Sequence, residues 1–135
     1  MDFKIKNGEQ VRTVFAGKAS DTVIEAGDLV GITSGLIVKA DESTAAVAYA
    51  INGAAAGETT VEISKGNDFT LIGTSDANFA VTDRGILCDL VMSTNDQQID
   101  IGTSSTNVFQ VSPSITAGTV GSVSEVEVKI NKPIF

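Results

Sequence analysis

The sequence predicts an all-β protein, a small β-barrel or β-sandwich, with the option of two fused β lobes and an extended N-terminal arm. Val (15), Ile (13) and Thr (14) are abundant among the 135 residues, and β-branched side chains suit a pleated sheet surface. Short apolar runs alternate with clusters of Gly, Ser, Thr and Asn, which is typical of strands joined by tight turns. Strands at such short and even spacing favour a sandwich or a small barrel.

The first half of the chain contains the clearest hairpin signal. Residues 28–33 and 36–40 are β-rich runs separated by Ser34-Gly35, a combination that predicts a two-residue hairpin turn. Residues 11–16 precede this unit and are predicted as a strand, while residues 3–5 form a strand or an extended arm.

The alanine-rich run at residues 45–51 allows two interpretations. The polar residues before it could cap a short helix, or the run is a strand. We favour the strand because Asn52-Gly53 ends it and residues 59–63 form a second strand that can pair behind it.

The second half repeats this style. Strands are predicted at residues 69–72, 79–82, 86–92, 97–101, 108–111 and 125–130. In the last of these, apolar and charged residues alternate strictly, as in a half-buried antiparallel strand. The Gly- and Ser-rich residues 112–124 are the longest predicted loop. No change in composition marks a flexible linker. We therefore expect one compact unit over 1–135, with an arm (1–8), a first lobe (9–65) and a second lobe (66–135).

Charge and hydropathy exclude several classes of partner. Nine basic and 17 acidic residues give a net charge of −8, which repels nucleic-acid phosphates and anionic membranes. No apolar run approaches the roughly 20 residues of a membrane helix, and the alternating start of the chain is unlike a signal peptide. We therefore expect no nucleic-acid or membrane partner and synthesis in a host cytoplasm.

The residues also argue against catalysis. The chain has no histidine, which removes Ser-His-Asp and Cys-His chemistry and the commonest metal ligand. The single cysteine, Cys88, cannot form an internal disulfide, and its apolar strand setting predicts a buried, unreactive thiol. The sequence GAAAGET at 53–59 fails as a phosphate loop because Glu58 stands where a lysine is needed.

Carboxylates are plentiful without forming a recognisable site. Asp41 and Glu42 are adjacent, and Asp96 and Asp100 are four residues apart, but neither pair has the spacing of a calcium loop. A glycosidase cleft would also need sugar-stacking aromatics, and the chain has no Trp and one Tyr. We therefore predict no catalytic residue, no metal site and no cofactor.

Six phenylalanines remain to be placed. Four lie within predicted strands and are interpreted as core: Phe15, Phe69, Phe79 and Phe109. The terminal Phe3 and Phe135 either meet a partner surface or fold back onto the core, and the sequence leaves both options open.

The first half of the chain resembles phage capsid decoration (cement) proteins. The resemblance is carried by AGDLV at 26–30, SGLI at 34–37, AAVAYA at 45–50, AGE at 56–58 and TVEI at 60–63. This order is similar to the small β-barrel of that family and covers about the first 65 residues. ANFAV at 77–81 and QIDIG at 98–102 resemble longer phage-encoded relatives.

The resemblance implies a structural virion protein, without enzymatic activity, on the outer capsid surface. Its partners would be the major capsid protein and copies of itself, as a homotrimer that locks neighbouring capsid subunits. In that family an N-terminal arm adds a strand to the shell, which here implies contacts through Met1, Asp2, Phe3, Lys4, Ile5 and Lys6. The apolar end of the chain, Ile134 and Phe135, is a further candidate contact.

Two alternatives stay open from the residues alone. One is another virion component, such as a tail, fibre or head-completion protein. The other is a non-catalytic β module that binds a peptide or a sugar, although the absence of Trp disfavours sugars.

Overall fold

The computed structural model describes residues 3–134 and is all-β, as the sequence predicts. The described residues contain one three-residue 3-10 helix, Val81–Asp83, and eleven strands. The strands are β1 (Phe3–Ile5), β2 (Thr13–Gly17), β3 (Leu29–Thr33), β4 (Leu36–Lys39), β5 (Ala48–Tyr49), β6 (Thr60–Ser64), β7 (Leu71–Thr74), β8 (Leu87–Ser93), β9 (Asp96–Asp100), β10 (Phe109–Val111) and β11 (Glu125–Ile130).

The largest sheet has six strands in the order β1-β7-β11-β10-β8-β9, and it curls into a half-barrel. Every neighbouring pair in it is antiparallel. Just after β7, Ser75 forms a parallel bridge with Ile99 of β9. The curl therefore brings β9 back towards the strand next to β1.

The first half of the chain forms a second, smaller ring of strands. One sheet has the order β4-β3-β5 and another pairs β2 with β6. Ala50, just after β5, bridges Ile63 of β6, and Lys18, just after β2, bridges Ile37 of β4. These two bridges link the sheets into the circuit β2-β6-β5-β3-β4.

Each ring surrounds its own apolar cluster. The smaller cluster contains Ile24, Val30, Ile37, Ala48, Ala50, Ala54, Val61 and Ile63. The larger one is built mainly from the second half of the chain, including Phe69, Leu71, Phe79, Phe109, Val126 and Val128. It also takes in Phe3, Leu29 and Tyr49 from the first half, so the two halves are packed against each other.

Gln97 of β9 connects the two halves by hydrogen bonds within the protein. Its side-chain Nε2 donates to the carbonyl oxygens of Leu29 at 2.8 Å and Ala40 at 2.9 Å, and its Oε1 accepts from the Leu29 N–H at 2.8 Å. The side chain is 1% exposed. Burial of an amide is tolerated here because its donors and acceptor are matched.

The predicted hairpin is confirmed, and its turn explains the sequence. Thr33 lies opposite Leu36 across Ser34 and Gly35, whose φ angles are 52° and 79°. Positive φ at both turn positions is the twist that a two-residue antiparallel hairpin requires, and glycine adopts it without strain.

The strand interpretation of residues 45–51 is also confirmed, although the strand is short. Only Ala48 and Tyr49 form β5, and Ala50 continues the pairing as a bridge. The predicted strand at 79–82 is wrong. Phe79 makes a single bridge to Val120, after which the chain turns because the Asp83 carboxylate accepts the Ala80 N–H at 2.8 Å.

The two ends of the chain cross over between the halves. β1 pairs with β7 in the second-half sheet, so an extended N-terminal arm is not confirmed for the described residues. At the other end, Ile134 packs against the first-half cluster and its N–H donates to the Val47 carbonyl at 3.1 Å.

Candidate protein-binding edge

Phe3, predicted as part of a capsid-binding arm, is fixed in the interior. It lies opposite Gly73 in the β1–β7 pairing and is 1% exposed. Its ring stacks on Phe109 with centroids 5.5 Å apart. It also covers Gly73 so closely that a Cβ there would lie 2.1 Å from a ring carbon. The sequence option that Phe3 folds back onto the core is the one observed.

The lysines of the same segment are engaged with acidic residues of β11. Lys4 Nζ lies 3.1 Å from a Glu125 carboxylate oxygen, and Lys6 Nζ lies 3.4 Å from one of Glu127. Lys4 keeps 56% of its side chain exposed, so it remains accessible to a partner. Met1 and Asp2 lie outside the described residues.

The C-terminal candidates divide in the same way. Ile134 is half-buried against the first-half cluster, and its N–H donates to the Val47 carbonyl oxygen. Phe135 lies outside the described residues.

Phe15 gives the opposite result, and its interpretation as core is wrong. It is 72% exposed in the middle of β2. The neighbouring Val14 and Ala16 turn the other way and pack against the first-half cluster. The small ring has room for these smaller side chains, and the alternation of the strand then directs the phenyl ring outward.

The main chain of β2 is unpaired on one side around Phe15. Hydrogen bonds from Lys65 N–H to Arg12 O and from Lys18 N–H to Thr59 O fix the phase of the β2–β6 ladder. In that phase, alternate residues bond to β6, and Thr13 and Phe15 turn their N–H and C=O groups to the opposite edge. Among residues 3–134, no hydrogen-bond partner meets these groups. We call the main-chain groups of Thr13 and Phe15 the open edge.

The open edge ends where β4 begins. Lys18 is bridged in parallel to Ile37, and Ala19 N–H donates to Ile37 O at 3.1 Å. Counting back along both parallel strands places Phe15 level with Ser34, in the hairpin turn. β4 therefore ends at the level of the open edge, and β2 extends past this end of β4.

An acidic residue lies beside Phe15 on the outward face, on the side of β2 that faces away from the open edge. Glu62 lies directly across from Phe15 in the β2–β6 pairing. Its two carboxylate oxygens accept hydrogen bonds from Thr13 Oγ1 at 2.8 Å and from Asn52 Nδ2 at 2.6 Å. Both donors are neutral, so they hold the Glu62 carboxylate in place without neutralising its negative charge.

A second exposed apolar group lies in the other half. It comprises Val81, Ile115, Val120 and Val123, of which Ile115 is 80% exposed. These residues lie in the 3-10 helix and in the loop that follows β10, and no unpaired strand runs through them. They provide exposed apolar side chains that lie away from the open edge, for comparison with Phe15.

The candidate chemical groups are held in structural roles. Cys88 is buried, and burial together with the nearby Asp89 and Asp100 carboxylates raises its pKa to about 12. Asp89 accepts hydrogen bonds from the N–H groups of Ser105, Thr106 and Asn107 at 2.8–3.0 Å. The Asp41 carboxylate accepts from the N–H groups of Ser43 and Thr44, and Glu42 from that of Met92, each at 2.8 Å.

Asp100 also has a raised pKa. Burial is the main cause that raises its pKa, a hydrogen bond from Thr103 opposes the shift, and the neighbouring Asp76 adds to it. Within the described part of the chain, no three acidic or cysteine side chains are grouped to hold a metal ion. Asp96, at the start of β9, is exposed.

No helix formed by residues 3–134 is long and apolar enough to span a membrane.

Comparison with known proteins returned no matching family model, no matching curated protein and no matching solved structure.

The open edge is the feature that sequence reasoning missed. A large apolar side chain in an alternating strand looks the same whether it faces a core or solvent. One signal was available: Phe15 is flanked by Val14 and Ala16, so both faces of this strand carry apolar side chains.

Proposed function

We propose that this chain is a structural virion protein that binds the outer surface of a phage capsid and stabilises contacts between major capsid protein subunits. The observation that carries the binding function is the open edge of β2 with the exposed Phe15 beside it. Unpaired strand edges and large exposed aromatic side chains are features that proteins normally cover. The choice of a phage capsid as the partner rests on the resemblance of residues 26–63 to decoration proteins.

The proposed mechanism is mass action. A protein that binds only the assembled lattice stabilises that lattice by the free energy of binding. Copies attached at repeated positions, or linked as the homotrimer that we predict, add avidity without new contacts. A net charge of −8 helps free copies to stay dispersed before they bind.

Binding to the capsid through residues 1–6 stays a prediction, and the structure reduces the number of residues in this segment that are available for contact. Phe3 is buried, so Lys4, Lys6 and the outward side of β1 are the parts of the described segment that can meet a shell. Deleting the whole segment would remove β1 from its sheet. Lost binding after that deletion would therefore not separate a binding role from a folding role.

The test is electron cryomicroscopy of shells assembled from the major capsid protein encoded by the same genome, with and without the purified chain. We expect added density on the outer surface that follows the lattice symmetry, and shells that resist heat better. Density on tails, isolated rings or tubes, or a few copies at one vertex would instead support another virion component. Absence of the chain from every particle would overturn a virion role.

A further inference from the structure

We propose that the open edge of β2 receives an extended, non-acidic segment of the partner protein, which adds as a strand beside Thr13 and Phe15 and packs an apolar side chain on Phe15. The identity of that partner as the capsid protein rests on the proposed function. The mode of binding is argued from the geometry of β2.

The chemistry of the open edge selects a polypeptide backbone. Thr13 and Phe15 each present one N–H and one C=O to the same side. In a strand these pairs are about 7 Å apart, two residues along. A second extended chain carries complementary groups at the same repeat, so one short segment can pair with all four.

The hairpin leaves room for such a segment. Because Phe15 is level with the turn at Ser34, an incoming strand would take the place that β4 would occupy if it continued past its turn. The incoming strand would lie end to end with β4, and both would lie beside β2. No described element pairs with β2 at that position.

The outward face offers an apolar strip for side-chain contact. A Cβ built on Gly17 would lie 3.4 Å from Leu36 Cδ2, so Gly17 and Leu36 share a face with Phe15. Phe15 is 72% and Leu36 is 43% exposed. Leu36 therefore reaches over Gly17, and its exposed side chain extends the apolar surface of Phe15 for contact with an aliphatic side chain of the segment.

Charge sets the composition of the segment. Glu62 lies on β6, on the side of Phe15 away from the open edge, with its carboxylate fixed by neutral donors, and the chain as a whole carries −8. An acidic segment would be repelled during approach, whereas Lys or Arg residues in the segment would be attracted. The partner segment is therefore apolar with basic rather than acidic residues.

A second copy of this chain fits the edge less well than a partner segment. Two open edges could pair about a two-fold axis, but each contributes about three residues and one aromatic side chain, roughly 200 Å² for the ring. Stable protein interfaces bury about 1,200–2,000 Å² in total. A peptide segment needs no such area when many copies bind one lattice.

The first test measures binding of full-length variants to the undecorated shells described above. Phe15→Ser should weaken binding about tenfold or more, as loss of an interface aromatic does. The matched control is Ile115→Ser, which removes a similarly exposed apolar side chain away from the open edge and should bind like the wild type. Equal binding by Phe15→Ser and the wild type would overturn the proposal.

The second test addresses the main chain. Thr13→Pro removes an N–H that points to the open edge, while Thr13→Ala removes the side-chain hydroxyl and methyl groups and keeps the N–H. We expect Thr13→Pro to bind several-fold more weakly than Thr13→Ala. Amide hydrogen exchange of the wild type provides a readout that does not depend on folding of the proline variant. The Thr13 and Phe15 amides should become protected on shell binding, and unchanged exchange at both would contradict strand addition.

The two proposals can fail separately. If the wild type binds shells and neither the variants nor amide exchange implicates β2, the function stands and strand addition is wrong. If the wild type does not bind shells, the proposed function is wrong. Strand addition at the open edge is then tested with synthetic eight-residue peptides. A peptide alternating Val and Lys should shift the amide resonances of Thr13 and Phe15, and a Val–Glu peptide should not. Equal shifts or no shifts would overturn the edge proposal as well.

Discussion

Two short strands near the start of the chain, β1 and β2, each carry a phenylalanine between alternating residues, and the fold treats them in opposite ways. Phe3 of β1 is 1% exposed, while Phe15 of β2 is 72% exposed. The outer edge of β1 is met by Gly27, whose carbonyl accepts the Phe3 N–H at 3.1 Å. The outer edge of β2 at Phe15 is open. The comparison shows that neighbouring elements, rather than the pattern within a strand, decide which side of a strand is covered.

The largest expected difference in stability comes from replacing each of the two phenylalanines, Phe3 and Phe15, by alanine. Phe3→Ala should lower the free energy of unfolding by about 3–5 kcal/mol, because it empties a packed site. Phe15→Ala should change it by no more than about 0.5 kcal/mol, because the ring is mostly in solvent. Urea denaturation of both variants measures the difference. Similar losses for the two would mean that Phe15 is covered in solution.

Gly73→Ala tests the close packing under Phe3. The new Cβ would meet the Phe3 ring at 2.1 Å, so we expect a loss of about 1–3 kcal/mol from overpacking. In a Phe3→Ala background the same substitution should cost much less, because the clashing ring is gone. A double-mutant cycle by denaturation gives the coupling. Additive losses would argue against the observed placement of Phe3.

Cys88 reports on the same sheet through pH. It lies opposite Phe109, on which Phe3 stacks, and its folded pKa of about 12 exceeds the unfolded value of about 8.5. The folded state therefore binds the thiol proton more tightly, so its contribution is complete below pH 8.5 and is lost as pH rises towards 12.

Between pH 8.5 and 9.5 this linkage predicts a fall in stability of about 1 kcal/mol. Denaturation at a series of pH values measures it, and Cys88→Ala provides the control, with a lower starting stability but without this part of the fall. An identical alkaline slope in both proteins would mean that other groups cause it.

The smallest effect is expected from Lys4 and Lys6. Lys4→Gln and Lys6→Gln break ion pairs with Glu125 and Glu127. The Lys4–Glu125 pair is exposed on both sides, and exposed pairs contribute about 0.2–1 kcal/mol. Thermal unfolding at low and high salt should show a small difference that shrinks as salt rises. If the lysines instead bind a shell, these variants will lose capsid affinity with little change in stability.

The parts of the fold that were predictable depend on local chemistry. Ser34-Gly35 specifies the hairpin because its turn needs two positive φ angles, and the alternation in residues 125–130 specifies β11 and its buried side. The parts that were not predictable depend on distant neighbours. β1 reaches its place through residues 71–73, and the open edge exists because β4 stops level with Phe15. A single sequence gives no direct indication of either.

The crossing of the chain ends has a consequence for how the protein is made. β1 is synthesised before β7, β11 and β10, which complete its surroundings and come from the second half of the chain. Ile134, which packs against the first-half cluster, is synthesised after all eleven described strands. Neither half can reach its final packing until both have been synthesised, so we expect the two halves to become stable together as one cooperative event.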